Sequence, residues 1–128
     1  MSHHSRLSTF VLDCNVDDLA PHVEFWSKAL GKGIVSADQD GDGKYAELKT
    51  ERDEPILLLQ RVSHPSRIHL DIEADDVDAE AARLEKLGAK RIEKVHTWWV
   101  MEAPSGHRFC VVRQQRTPFG PHLNAWND

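Results

Sequence analysis

His69-Leu70-Asp71 sets an imidazole and a carboxylate two residues apart inside a strand-like run, Arg67–Glu73. Alternation along a strand sends His69 and Asp71 to one face and Leu70 and Ile72 to the other. An imidazole beside carboxylates can do general acid–base work. The same groups could equally form a fixed hydrogen-bond network, because burial alone demands partners for them. A further carboxylate, Asp13, stands beside Val11 in the run Leu7–Cys14. Cys110 is open to two readings, a nucleophile activated by a nearby cation or His, or a small hydrophobe in a core strand. If Pro104-Ser105-Gly106 is a three-residue hairpin loop, Ala103 faces His107 and Val100 faces Cys110. Trp98 then shares a face with Cys110, and Trp99 points the opposite way.

Asp38-Gln39-Asp40-Gly41-Asp42-Gly43 matches the opening of a calcium loop. Its twelfth position is Lys49, where a bidentate Glu is needed, and its flanks read as strands rather than helices. An acidic hairpin turn is the better account.

The elements that must position these groups come in two similar sets. Val11-Leu12-Asp13, then Asp17-Asp18-Leu19, is echoed by His69-Leu70-Asp71, then Asp75-Asp76-Val77. Each copy continues into a helical pattern ending in Leu-Gly, at Leu30-Gly31 and Leu87-Gly88. Such an echo marks a duplicated supersecondary unit. In the first copy Asp17 or Asp18 caps a helix whose Leu19, Val23, Trp26 and Leu30 share a face, with Pro21 in its first turn. Strands are expected near Ile34–Ala37, Tyr45–Thr50 and Ile56–Val62. Ser63–Ser66 reads as a linker. In the second copy Asp75 or Asp76 caps a helix bearing Val77, Ala81, Leu84 and Leu87, and strands follow near Lys90–Val95, Thr97–Met101 and His107–Gln114. Each half reads βαβββ, over about residues 7–62 and 67–115, with an irregular tail over 116–128. His3 and His4 read as part of a disordered terminus.

With 128 residues, 21 acidic and 16 basic, the chain fits one mildly negative domain. No basic stripe points to nucleic acid, and no apolar stretch or signal pattern points to a membrane. Cys14 and Cys110 lie in apolar runs, which favours reduced thiols over a secreted disulfide framework. A soluble, cytoplasmic protein is expected.

The ordered set of motifs resembles the vicinal oxygen chelate superfamily, in its glyoxalase-like and bleomycin-resistance-like branch. The matching residues are Asp18, Phe25-Trp26, Leu30-Gly31, His69-Leu70-Asp71, Asp75-Asp76, Leu87-Gly88-Ala89 and the turn Pro104-x-Gly106 before Phe109-Cys110. The resemblance implies an α+β fold of two tandem βαβββ modules, forming a curved mixed sheet around a cup-shaped cavity, and a homodimer. It also implies, for the metal-dependent members, a divalent ion held by a His on the first strand of each half and Glu or another side chain on the last strands. Carried over, the second-half His is His69, the first-half His is Val11, the expected Glu is Cys110, and Leu58-Leu59-Gln60 offers no carboxylate. One imidazole cannot hold an ion alone, so a metal is disfavoured and no cofactor is expected.

His69, Trp98, Cys110, Gln60 and Val11 are then the expected lining of a ligand cavity. Trp26 reads as core or dimer contact, and Trp126 either folds over the cavity or anchors the terminus. A Trp-lined, mildly acidic cavity suits an aromatic or cationic small molecule, unless all four tryptophans serve packing. The expected function is metal-independent small-molecule binding of the drug-binding resistance type. The alternative is a lyase, isomerase or dioxygenase of glyoxalase type, using His69 with Asp13 or Asp71, or a divalent metal. A pure interaction module is a third possibility.

Overall fold

The computed structural model describes residues 2–36 and 43–127. The calcium-like stretch falls, apart from Gly43, outside the described residues. The elements are β1 (Ser2–Cys14), α1 (Ala20–Leu30), β2 (Ile34–Ser36), β3 (Tyr45–Leu48), β4 (Ile56–Arg61), β5 (Arg67–Ala74), α2 (Val77–Lys86), β6 (Lys90–Val95), β7 (Trp98–Glu102), β8 (Arg108–Arg113) and β9 (Asn124–Asn127). This is an α+β protein whose element order is βαβββ twice, followed by one further strand. Neither helix is long and apolar enough to cross a membrane. The chain forms two compact units, Thr9–Ile68 (the inner unit) and the residues up to Ser8 together with those from His69 onward (the outer unit).

In the inner unit the Thr9–Cys14 part of β1 runs parallel to β4, and β3 joins β4 and β2 by antiparallel pairing. Alternation turns Leu12, Cys14, Leu57, Leu59, Ala46 and Leu48 to one face, where Leu19, Val23 and Trp26 pack from the α1 side. Trp26 thus serves the core. Leu19 itself occupies the helix N-cap position, and Asp18 supports the first turn by accepting from the Ala20 amide at 3.1 Å. Gly31 ends the helix with φ 67°, in the left-handed region that glycine enters at least cost.

In the outer unit β5 lies between β1 and β8, and the order continues to β7 and β6. Ala74, Phe109, Val111, Met101 and Trp99 form the face that meets Val77, Ala81 and Leu84 of α2. Asp76 caps α2 by accepting from the Ala79 amide at 3.0 Å. One expectation fails here, the place of Leu87 on the buried face of the helix. Leu70 is 41% exposed and Leu87 66% exposed, because the short helix covers only the end of β5 nearest Ala74 and stops before Leu87 can turn inward.

The termini hold the larger surprise. The first strand starts at Ser2, not Leu7, and β9 pairs antiparallel with its Ser2–Ser5 stretch, so the tail is not irregular throughout. His3 and His4 are likewise ordered. His3 is 1% exposed, and its Nε2 lies 2.7 Å from Oε1 of the fully buried Glu80 on α2. Ser5 donates to Glu80 Oε2 at 2.8 Å, and Arg83 donates to both Glu80 oxygens at 2.8 and 2.9 Å. Trp126 donates to Ser5 Oγ at 2.8 Å, and the Arg83 guanidinium lies 3.8 Å from its ring centroid. Trp126 therefore anchors the terminus. The same segment brings buried Arg6 to buried Glu73 at 2.9 Å, while Glu73 also accepts from the Gln115 amide at 2.9 Å.

Burial pushes the Glu80 carboxyl up, but hydrogen bonds from Arg83, His3 and Ser5 outweigh it and hold the group below the ordinary Glu value. A carboxyl whose folded pKa lies below its unfolded one adds stability above the unfolded value and loses it as pH falls through the folded value. Glu80→Ala is expected to lower the unfolding free energy by about 3 kcal/mol at neutral pH, since it strands buried polar partners. Urea unfolding should show that difference shrinking as the pH drops below the usual carboxylate range. Gly88, at φ 110°, has a backbone conformation that L side chains rarely adopt, and a Cβ there would sit tightly at 3.2 Å from Pro104 Cγ. Gly88→Ala is expected to cost about 1–2 kcal/mol in the same assay.

Candidate functional site

Strand β5 and strand β8 run parallel with Leu70 opposite Phe109 and Asp71 opposite Cys110. One side of this pair carries Phe109 toward the α2 core. The other carries His69, Asp71 and Cys110. One donor atom from each of these three lies within 4.8 Å of the others. His69 Nε2 stands 3.4 Å from Asp71 Oδ1, with the two side chains only 13% and 16% exposed. That oxygen is buried and accepts no hydrogen bond among the described residues. Cys110 is a free, partly buried thiol.

Strand β7 extends the same face. Val100 stands opposite Cys110, and the Ala103 amide donates to the His107 carbonyl at 2.8 Å, as the three-residue loop requires. Trp98, two residues before Val100, therefore shares the side of Cys110, with the His96 ring 5.7 Å away by centroids. Trp99 takes the opposite side and donates to Asp78 Oδ1 at 3.0 Å. That bond, joined by one from Lys94, holds the Asp78 carboxyl below its ordinary value.

Val11, Asp13 and Gln60 belong to the inner unit. Asp13 stands opposite Gln60, and Gln60 donates to the Tyr45 hydroxyl at 3.3 Å. Asp13 is 4% exposed, and its Oδ2 lies 3.9 Å from His64 Nε2 and 3.8 Å from Arg67 Nε. Sequence reasoning missed both partners, one in the linker and one at the start of β5. The signal available was Asp13 itself, an acid at an inward position that needs an opposite charge. Cys14, beside it, has its thiol pKa raised by burial and then by the Asp13 charge.

A family model described as a glyoxalase-like domain matches residues 9–112. The chain belongs to the glyoxalase-like domain family. With it comes membership of the vicinal oxygen chelate superfamily, consistent with the two βαβββ sets. No curated protein matches the glyoxalase-like chain in sequence. Among solved structures it resembles methylmalonyl-CoA epimerase from Mycobacterium tuberculosis, with TM-score 0.61, 16% identity, and 88% of this chain and 89% of that one covered. It also resembles a hypothetical protein from Bacillus halodurans, with TM-score 0.64, 12% identity, and coverage of 88% and 96%. An extradiol ring-cleaving dioxygenase from B. fuscum matches with TM-score 0.56 and 19% identity, over 84% of this chain and 32% of that one. At such identities the likeness concerns the fold alone.

The metal set implied for this superfamily is only partly kept by the glyoxalase-like chain, since Val11 stands where the first-half His is expected. Counting residues by family position leaves one donor, His69. The strand register supplies two that the count omits, because Cys110 is itself a donor and Asp71 stands directly opposite it. Nitrogen, oxygen and sulfur donors within 4.8 Å, one of them a buried oxygen with no hydrogen bond, fit a divalent ion. The cluster also suits proton transfer between His69 and a bound molecule, with Asp71 orienting the ring. A buried carboxylate oxygen left without a hydrogen bond is kept at a cost to stability. Asp71→Ala is therefore expected to raise the unfolding free energy by about 1 kcal/mol, rather than lower it. Denaturant unfolding of the variant checks the sign.

Proposed function

We propose that this glyoxalase-like protein binds a small aromatic or cationic organic molecule on the outer unit's face carrying His69, Asp71, Cys110 and Trp98. The observation that carries this reading is the convergence of an imidazole, a carboxylate and a thiol on a face that continues to a partly buried Trp. Trp98 offers a stacking surface, Asp71 a charge for a cation, and His69 a hydrogen-bonding nitrogen that donates or accepts according to its tautomer. Family membership supports the reading only in part, because the fold hosts many chemistries.

The proposal includes a homodimer, which sedimentation measures directly, and a cytoplasmic location. A second reading, turnover of glyoxalase type, is favoured by the 3.4 Å approach of His69 to Asp71, which suits an acid–base pair. An epimerase and a dioxygenase share the fold, and either class would use His69. Once an activity is found, its loss in His69→Ala with an intact fold supports this alternative.

A panel of aromatic and cationic molecules should quench Trp fluorescence and raise the melting temperature. Trp98→Ala is expected to weaken the bound member about tenfold, a loss in the range of one stacking or cation–π contact. A panel that leaves both signals unchanged sinks the proposal.

A further inference from the structure

We propose that Cys110 is a nucleophilic thiol with His69 as its base, and that it takes up an aromatic ligand bearing a carbonyl-conjugated double bond by conjugate addition. The inference deepens the ligand-binding reading, and only its aromatic part rests on that reading.

The strand pattern separates this thiol from a packing residue. Its neighbours on β8, Phe109 and Val111, face α2 and fill the core, so Cys110 takes the other side. On that side His69, Asp71 and Cys110 each place one polar atom within 4.8 Å of the other two. Such a spacing between base and nucleophile tightens when a ligand is bound. Strand β7 sets Val100 opposite Cys110 and brings no charge there. Arg108, two residues before Cys110, has its charge met by Glu102 at 3.3 Å. His69 is therefore the group placed to take the thiol proton. Asp71, directly opposite Cys110, disfavours an isolated thiolate by like charge. The thiolate is then stable as a pair with the His69 imidazolium, which makes the base a requirement rather than an aid. Cys14 is the contrasting thiol, buried in the inner unit's core and donating to the Leu12 carbonyl at 3.4 Å.

The addition balances without an oxidant or a second reactant. His69 takes the Sγ proton while sulfur bonds to the β carbon of the ligand, and the C=C electron pair moves to the carbonyl oxygen as an enolate. The imidazolium then returns the proton to the α carbon. One S–H bond and one C=C π bond are lost, and one S–C bond and one C–H bond are formed. Trp98, on the same side as Cys110, offers its ring face to an aryl group conjugated with the carbonyl.

The test incubates the full chain with benzylideneacetone, an aromatic enone, and maps adducts by peptide mass spectrometry. An unassisted thiol is mostly protonated at neutral pH, so Cys110 should be labelled about tenfold faster than N-acetylcysteine there. One adduct per chain is expected, with Cys14 unlabelled over the same time. His69→Ala should slow labelling by more than about tenfold, to below the N-acetylcysteine rate, and the loss should be regained as pH rises above the ordinary thiol value of about 8.5. Far-ultraviolet circular dichroism confirms folding. If that variant fails to fold, the pH profile of the unaltered protein decides. Labelling that stays fast well below that ordinary thiol value supports the proposal, and a profile coinciding with that of N-acetylcysteine overturns it. Labelling of Cys110 no faster than N-acetylcysteine at neutral pH, or a rate that survives His69→Ala, overturns it as well. Ethylideneacetone, which lacks the aryl ring, separates the two readings once each rate is divided by that of N-acetylcysteine with the same enone. A preference of about tenfold for the aromatic enone, removed by Trp98→Ala, supports the aromatic part. Equal values overturn that part together with the role of Trp98, and leave the nucleophilic thiol standing.

Discussion

The outer unit depends on the burial of one charge. Glu80 projects from α2 into a region fully closed to water, an arrangement that would be prohibitive for an unpaired carboxylate. It is tolerated because Arg83 binds both oxygens from the same helix, while His3 and Ser5 approach from β1. Satisfying Glu80 therefore requires the first residues of the chain to lie as a strand beside α2. Once there, Ser5 offers its oxygen to Trp126, and β9 pairs with Ser2–Ser5. A single buried acid thus organises both ends of the described chain. Such pairs contribute less net stability than their number of bonds suggests, but removing one member leaves the others stranded.

The same unit contains a carboxylate handled in the opposite way. His69, Asp71 and Glu73 alternate along β5 and share a side. Glu73 is fully buried and bonded to Arg6 and to two backbone amides of the tail. Asp71, two residues earlier, has one buried oxygen with no hydrogen bond among the described residues. One acid is saturated by the fold, and its neighbour is left with capacity to bind something else. That contrast, more than exposure or position, is what marks the His69–Asp71–Cys110 cluster as the candidate site.

Much of this arrangement was legible from the residues. Period-two alternation set the faces of β5, and the Pro104-Ser105-Gly106 loop length set the register that brings Val100 to Cys110 and sends Trp99 to the helix side. The internal echo predicted βαβββ twice. The N-terminal segment escaped because His3, His4 and Ser5 carry no apolar periodicity, and only a partner far along the chain gives them a reason to be ordered. A clue lay in α2, where Glu80 falls between Val77 and Leu84 at the spacing of the buried face. An acid at such a position demands partners, yet sequence alone could not say which of the distant polar residues would supply them. His64 and Arg67 beside Asp13 escaped for the same reason.

The sequence by itself determined the class of fold, the two helices with their apolar faces and stops, and the side of each strand on which His69, Asp71, Cys110 and Trp98 lie. These follow from local propensity and period, which act over a few residues. Which strand stands next to which, and in what register, was decided only by tertiary structure. That choice placed Asp71 opposite Cys110, turning a count of one metal donor into a cluster of three. It also placed Glu80 against His3, because pairing between residues 77 apart in the chain is settled by how buried charge is satisfied.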